Sequence, residues 1–286
     1  MQTSYPTEER LGRAGAAYDS RPDSISRIAE APMRPGDVAL RGDDANSNGK
    51  TAQPLAAPVA ADADGVMTTR ALLATAESLS GAALDGAIGG DRMVPGRNVT
   101  LALNNDLHWT AGTITVHGED DYGRAQSEAF TAPSGGNVTL TGTKTFSKVT
   151  QVDTPAGGGA NRTLAAGIGS LLGSLTSRDV LGLVRYLAAL EVAPGDTHEF
   201  AQYDVLNIIH GGRVWVEVEE DVLDGEQLYV RLVAAGAEVV GGFRNDRDGT
   251  ASAPDAVPVI GMRFWGDSVT RNGTRLAVVE VSLPNI

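Results

Sequence analysis

Apolar and polar residues alternate with a period of two along several short stretches of the chain, which is the pattern of half-buried β-strands. In the middle of the sequence the alternation runs through residues 98–103 and 113–117, and it continues in residues 146–152. Near the C-terminus it returns in residues 213–219 and 275–283. Because Gly, Asp and Asn residues typical of turns separate these stretches, the pattern predicts an all-β fold built as a sandwich or a small barrel.

Two stretches fit more than one type of element. Residues 70–80 are ambiguous between helix and strand. In residues 176–190, four apolar side chains have helical spacing: Val180, Leu183, Val184 and Leu187. Ser177 could cap such a helix, but Gly182 would cost about 1 kcal/mol in its interior. A helix and a strand–turn–strand therefore both remain open for this segment.

Residues 1–65 differ from the rest of the chain because they contain six of its 13 prolines together with stretches rich in Ala, Asp and Asn. A segment with so few apolar residues cannot bury enough area to fold by itself. We therefore expect an extended N-terminal arm with short strands that orders against a neighbour. Residues 66–192 are expected to form a β-sandwich, and residues 193–286 a C-terminal β-barrel.

The composition narrows the classes of function. The chain has no cysteine, which excludes disulfides, thiolate metal sites and cysteine nucleophiles. Its formal net charge is −13, and residues 176–286 alone carry 9 basic and 17 acidic groups. Such a chain repels nucleic-acid phosphates, so we expect no nucleic-acid partner. The polar N-terminus and the lack of a long apolar run predict no secretory signal and no membrane partner, with synthesis in a host cytoplasm.

Residues that could carry chemistry form no recognisable signature. The four histidines, at 108, 117, 198 and 210, lack the spacing of metal ligands. The acidic stretches 119–121 and 245–249 are interpreted as turns. An EF-hand that starts at Asp246 would need a glutamate at its twelfth position, where Val257 stands. We therefore predict no catalytic residues, no cofactor-binding or metal site, and no enzymatic activity.

The three tryptophans are expected to be anchors in a chain with only 5% aromatic residues. A place in a core is the default interpretation for each. Trp215, however, alternates with Val214, Val216 and Val218, so it falls on the opposite face of the predicted strand. With no evident partner within the chain, Trp215 is a candidate anchor of an interface between subunits.

The order of several short segments resembles the structural cement, or capsid decoration, proteins of tailed phages. These segments are residues 203–208, 212–218, 227–231, 242–249, 261–265 and 276–283, with 23–30 and 35–37 near the N-terminus. A second resemblance, to an immunoglobulin-like module of phage structural proteins, lies in residues 109–118, 122–125 and 138–146. Together they suggest a small C-terminal barrel or sandwich (193–286) joined by the N-terminal arm, with an inserted immunoglobulin-like β-sandwich (66–192).

The resemblance to cement proteins implies a structural virion protein that binds and stabilises the phage capsid shell without catalysis. Its implied partners are the major capsid protein and further copies of itself, with a homotrimer favoured over a homodimer. Its implied location is the capsid surface of the virion. The alternative is a carbohydrate-binding or adhesion module of a virion or cell surface, which would need a cleft lined by exposed aromatic side chains.

Overall fold

A computed structural model describes residues 14–18, 22–42, 50–104, 109–132, 137–157, 162–186, 199–271 and 273–284. Within these ranges the regular structure consists of β-strands and one short 3-10 turn at Gly81–Ala83, so the predicted all-β fold is confirmed. No helix in the described residues is long and apolar enough to span a membrane. The strands are β1 (Asp23–Ala29), β2 (Val38–Arg41), β3 (Thr51–Pro54), β4 (Asp62–Ala71), β5 (Glu77–Ser80), β6 (Arg97–Asn104), β7 (Gly112–Glu119), β8 (Ala125–Ala132), β9 (Val138–Phe146), β10 (Lys148–Thr154), β11 (Thr163–Leu172), β12 (Val180–Val184), β13 (Val205–Glu217), β14 (Gln227–Arg231), β15 (Phe243–Arg244), β16 (Gly249–Thr250), β17 (Ala253–Pro254), β18 (Ala256–Phe264), β19 (Val269–Arg271) and β20 (Thr274–Ser282).

The chain divides into two compact units that are not consecutive in sequence. The first, the barrel unit, contains residues 1–57, 176–248 and 255–286. The second, the sandwich unit, contains residues 58–175 and 249–254. The sequence of the sandwich unit thus interrupts that of the barrel unit twice, after residue 57 and after residue 248. The division at residues 65 and 192 stays a prediction about how the chain is organised.

Five strands of the barrel unit close into a ring. β1 pairs with β13 and β3, β2 pairs with β3 and β12, and β12 pairs with β13. Apolar side chains from all five strands fill the interior: Ile25, Ala29, Ala39, Ala52, Leu181, Val184, Leu206 and Ile208, joined by Met33 and Phe200. Three of the five strands come from residues 23–54. These N-terminal strands therefore order against β12 and β13 of the same chain.

The ambiguous segment after residue 176 is a strand where the structure describes it. Residues 177–179 form a turn and β12 follows, so the helix is wrong for this part, while residues 187–190 lie outside the described ranges. Gly182 has a φ of +145°, and a Cβ there would lie 2.1 Å from the carbonyl oxygen of Ile209. Glycine therefore lets β12 approach β13 closely enough to close the ring. The stretch 70–80 contains the end of β4 and all of β5, joined by a bend at residues 72–76, and has no helix.

The sandwich unit contains two four-stranded sheets, β5-β10-β7-β8 and β4-β11-β6-β9, which share one apolar core, and the short pair β16-β17. Trp109 is 1% exposed in that core, as its default interpretation predicted. In the constant-type immunoglobulin order the last strand pairs with the strand before it. Here the last long strand of the unit, β11, does not pair with the preceding strand, β10. The two strands lie in different sheets, and β11 pairs with β4 and β6. The β-sandwich is confirmed, and the immunoglobulin resemblance is not.

Candidate functional site

The two described histidines lie in different units and contact different carboxylates. His117 Nε2 is 2.9 Å from Asp153 Oδ2 between β7 and β10 of the sandwich unit. His210 Nε2 is 3.2 Å from Asp23 Oδ2, between β13 and the start of β1. No group of His, Asp and Glu able to hold a metal ion occurs among the described residues. The other two histidines, at 108 and 198, are outside the described ranges.

Within the acidic stretch 119–121, Asp120 acts as the turn residue that the sequence predicted. Asp120 Oδ1 accepts hydrogen bonds from the backbone N–H groups of Tyr122 and Arg124, each at 2.9 Å. Burial opposes ionisation of Asp120, but the hydrogen bonds from Arg124 and Tyr122 outweigh it and hold the pKa of the carboxyl below its usual value. Asp121 Oδ2 accepts from the backbone N–H of Ser174 at 2.9 Å. Asp120 therefore closes the turn between β7 and β8, whereas Asp121 holds the segment that follows β11, and both uses are structural.

The densest cluster of charge surrounds two buried arginines of the barrel unit, Arg231 at the end of β14 and Arg244 in β15. The side chain of Arg231 is 0% exposed and that of Arg244 is 7% exposed. Arg231 donates to both carboxylate oxygens of Glu219 at 2.9–3.0 Å and to Asp248 Oδ2 at 2.8 Å. We call the two arginines and their five carboxylates the arginine cluster: Arg231, Arg244, Glu219, Glu220, Glu238, Asp246 and Asp248.

The carboxylates keep both arginines charged in spite of their burial. The side-chain hydrogen bond to Glu219 raises the pKa of Arg231 above its usual range. For Arg244, burial acts in the opposite direction, but the hydrogen bond to Asp246 and the nearby acidic charges outweigh it, so its pKa is also raised. Asp246 and Asp248, which the sequence analysis interpreted as turn residues and not as part of an EF-hand, therefore bind guanidinium groups. Asp246 also accepts from the Asp248 backbone N–H, as a turn residue does.

The arginine cluster supports the hairpin that joins β14 to β15. Backbone hydrogen bonds close the hairpin at its base, from the Arg231 N–H to the Gly242 carbonyl (2.8 Å) and from the Gly241 N–H to the Arg231 carbonyl (2.9 Å). Residues 233–242, the tip loop, have the sequence VAAGAEVVGG, with Glu238 as their one charged residue. Val239 is 65% exposed and Val233 is 39% exposed. The tip loop thus presents a mainly apolar surface to solvent, with the 41% exposed side chain of Glu238 as its one charge.

A second group of exposed apolar side chains lies on the wall of the barrel. Ile28 on β1 and Val205 on β13 are register partners, and they are 40% and 63% exposed. Tyr203, just before β13, is 75% exposed and has a φ of +74°, in the left-handed region that non-glycine residues seldom occupy. Its backbone N–H donates to the Ala29 carbonyl at 2.8 Å, which helps to hold the turn. We call Ile28, Tyr203 and Val205 the wall patch.

Trp215 is not free for an interface, and the prediction that it lacks a partner within the chain is wrong. Its side chain is 7% exposed and packs against Ala16, Leu276 and Val278. The ring of Tyr18 lies 6.0 Å from that of Trp215 between centroids. The contact with Tyr18 and Ala16 forms because residues 15–18 run along β13: the Gly15 N–H donates to the Trp215 carbonyl at 2.8 Å, and the Trp215 N–H to the Ala16 carbonyl at 3.0 Å.

Three grooves on the described surface have no aromatic side chain in their lining that could serve as a platform for a sugar. A groove of about 640 Å³ on β13, β18 and β20 is lined by Arg213, Gln227, Arg263 and Glu280 together with glycine and aliphatic residues. Two grooves on the sandwich unit, of about 800 and 250 Å³, are also lined without Trp, Tyr or Phe. The cleft that the carbohydrate-binding alternative needs is therefore not among these three grooves.

Comparison with known families gives a match that covers the C-terminal half of the chain. Residues 136–283 match the family described as Structural cement protein (E217 gp24/Pam3 gp6). The matched range is just over half of the 286 residues, and it includes β9–β11 of the sandwich unit and every strand from β12 to β20. No curated protein matches the chain.

Proposed function

The chain belongs to the structural cement protein family of phages, and we propose on this basis that it binds the assembled capsid shell and stabilises it without catalysing a reaction. The family match carries the proposal, because it spans the whole C-terminal part of the barrel unit. Membership implies a structural protein located on the virion capsid. Synthesis in the host cytoplasm is part of the proposal.

The proposed partners are the major capsid protein and further copies of this chain, with a homotrimer favoured over a homodimer, and neither nucleic acid nor membrane. The net charge of −13 supports the exclusion of nucleic acid, since an acidic surface repels phosphates. The two exposed apolar surfaces support contacts between proteins, because the centre of an interface is depleted of charge and enriched in apolar side chains. Because Trp215 is covered by residues of its own chain, it does not support an interface between copies. The wall patch, with its exposed Tyr203, takes its place in the proposal.

Binding to empty shells tests the proposed function. The full chain is mixed with shells assembled from the major capsid protein of the same phage in the absence of this chain, and the shells are pelleted. Saturable co-sedimentation at a fixed ratio of chain to capsid subunit is expected. No co-sedimentation at micromolar concentrations would contradict the proposed function.

The proposed self-association is tested separately from shell binding. Sedimentation velocity of the full chain is expected to give a trimer, and Tyr203→Ser is expected to shift the chain towards monomer. The full chain is required, because residues 193–286 alone lack β1, β2, β3 and β12 of the ring. A monomer at all concentrations would refute self-association without affecting shell binding.

A further inference from the structure

We propose that the tip loop, residues 233–242, is the element that docks onto the major capsid protein, and that it enters an apolar pocket with a basic rim. The proposal deepens the proposed function and rests on it. Its physical basis is an exposed apolar loop, held in place by the buried arginine cluster beneath it and surrounded by an excess of carboxylates.

The tip loop has the composition of a contact surface. Nine of its ten residues are Val, Ala or Gly. The exposed side chains of Val233 and Val239 gain free energy when a partner covers them. Glu238, the one charged residue, faces the base of the hairpin, where it forms a short ion pair with Arg231 and lies 3.9 Å from Arg244. The loop can therefore be covered without leaving its carboxylate unpaired.

The loop is also held in one conformation before any partner arrives. The backbone N–H groups of Ala235 and Glu238 each donate to the other's carbonyl, at 3.2 and 3.0 Å. The hairpin bonds at Arg231 and the ion pairs of Glu238 fix both ends of the loop to strands that are buried. A preorganised loop loses little conformational entropy when it binds, so more of the contact free energy remains as affinity.

The charge around the loop identifies the kind of partner. Five carboxylates and two guanidinium groups give the arginine cluster a net charge of −3, or −2 with the exposed Arg247 beside it. Both guanidinium groups are buried, whereas the side chain of Asp246 is 61% exposed and that of Glu238 is 41% exposed. The surface around the tip is therefore acidic. It attracts a basic rim and repels a second copy of a chain with net charge −13, which favours a capsid subunit as the occupant.

Two matched substitutions test the docking role. Val239→Asp places a charge at the centre of the proposed contact, and Val59→Asp makes the same change at a valine of the sandwich unit that is also 65% exposed. In the shell co-sedimentation assay with full-length chain, Val239→Asp is expected to weaken binding at least tenfold, while Val59→Asp changes it less than twofold. Raising the salt concentration from about 0.05 to 0.5 M is expected to weaken wild-type binding, because the basic rim is screened.

Glu238→Gln tests whether the ion pairs of Glu238 position the tip loop for binding to the shell. Loss of the ion pair is expected to speed amide hydrogen exchange in residues 233–240 and to weaken shell binding several-fold, while exchange in β13 and β20 stays unchanged. Equal shell binding by wild type and Val239→Asp would overturn the docking role and leave the proposed function standing. Failure of the wild-type chain to bind shells would overturn both. Formation of a defined oligomer that Val239→Asp dissociates would assign the loop to a second copy and overturn the capsid pocket.

Discussion

Replacing Arg231 with methionine is expected to be among the most destabilising single changes in the barrel unit. The wild-type Glu219 carboxylate is about one-tenth exposed and accepts three hydrogen bonds from Arg231 and one from Arg244, at 3.2 Å. In the variant only the Arg244 bond remains, so a largely buried carboxylate loses most of its compensation. Breaking a buried ion pair in this way costs about 3–5 kcal/mol of stability. Because Arg244 still pairs with Glu219 in the variant, we expect a loss near the lower end of this range.

The magnitude can be measured by urea unfolding followed by tryptophan fluorescence, and by calorimetry. A loss of about 3 kcal/mol corresponds to a decrease in Tm of roughly 6–12 °C for a domain of this size. The matched control is Arg263→Met on the same sheet. Arg263 is 62% exposed and pairs with Glu280 at 2.6 Å, so its loss is expected to cost less than about 1 kcal/mol.

A double variant tests the cause of the destabilisation. Arg231→Met combined with Glu219→Leu removes the uncompensated carboxylate as well as the guanidinium, so it is expected to be more stable than Arg231→Met alone. The reasoning is refuted if Arg231→Met costs no more than Arg263→Met. It is also refuted if the double variant loses as much stability as the two single changes added together.

Three further predictions follow from the ring and from the surface ion pairs. Deletion of residues 1–57 removes three of the five ring strands, so amides of β12 and β13 should lose protection from hydrogen exchange; retained protection would show that the ring closes without them. Gly182→Ala should cost roughly 2 kcal/mol or more, because the added Cβ meets the Ile209 carbonyl at a φ of +145°, and a cost below 0.5 kcal/mol in urea unfolding would refute the close approach. Hydrogen bonds from Arg263 and Arg213 hold the pKa of Glu280 below its ordinary value of 4.5, so its stabilising contribution is present above that value and is lost as the pH falls through the lowered pKa. The stability difference between wild type and Glu280→Gln should therefore shrink between about pH 5 and pH 3, and a difference that grows would contradict the assignment.

Local patterns predicted the strands well where one face of a sheet is buried. In β7 the alternation of residues 113–117 matches the alternating burial of the strand. In β12 all five residues are buried, so no alternation exists to be read from the sequence. The apolar spacing around Val180 and Leu183 therefore looked helical, and the cost of Gly182 in a helix interior was the signal against it. The structure adds that Gly182 has a positive φ.

Pairing between distant segments could not be predicted from the sequence. Nothing local in residues 14–18 shows that they cover Trp215, and nothing in residues 23–54 shows that they complete a ring with β12 and β13. The arginine cluster did leave a signal that was missed. Arg231 follows the apolar Val230 and precedes Leu232, and Arg244 follows Phe243, and an arginine within a buried apolar run needs a carboxylate partner. Asp246 and Asp248 were near enough in sequence to be that partner.

The central claim is that the chain stabilises a capsid shell by binding to it. The most direct measurement compares the disruption temperature of shells that lack the chain with that of the same shells saturated with it, using the release of major capsid protein subunits as the readout. If the chain stabilises the shell, the disruption temperature is expected to rise with occupancy and to level off when all sites are filled. An unchanged disruption temperature at full occupancy would contradict the account.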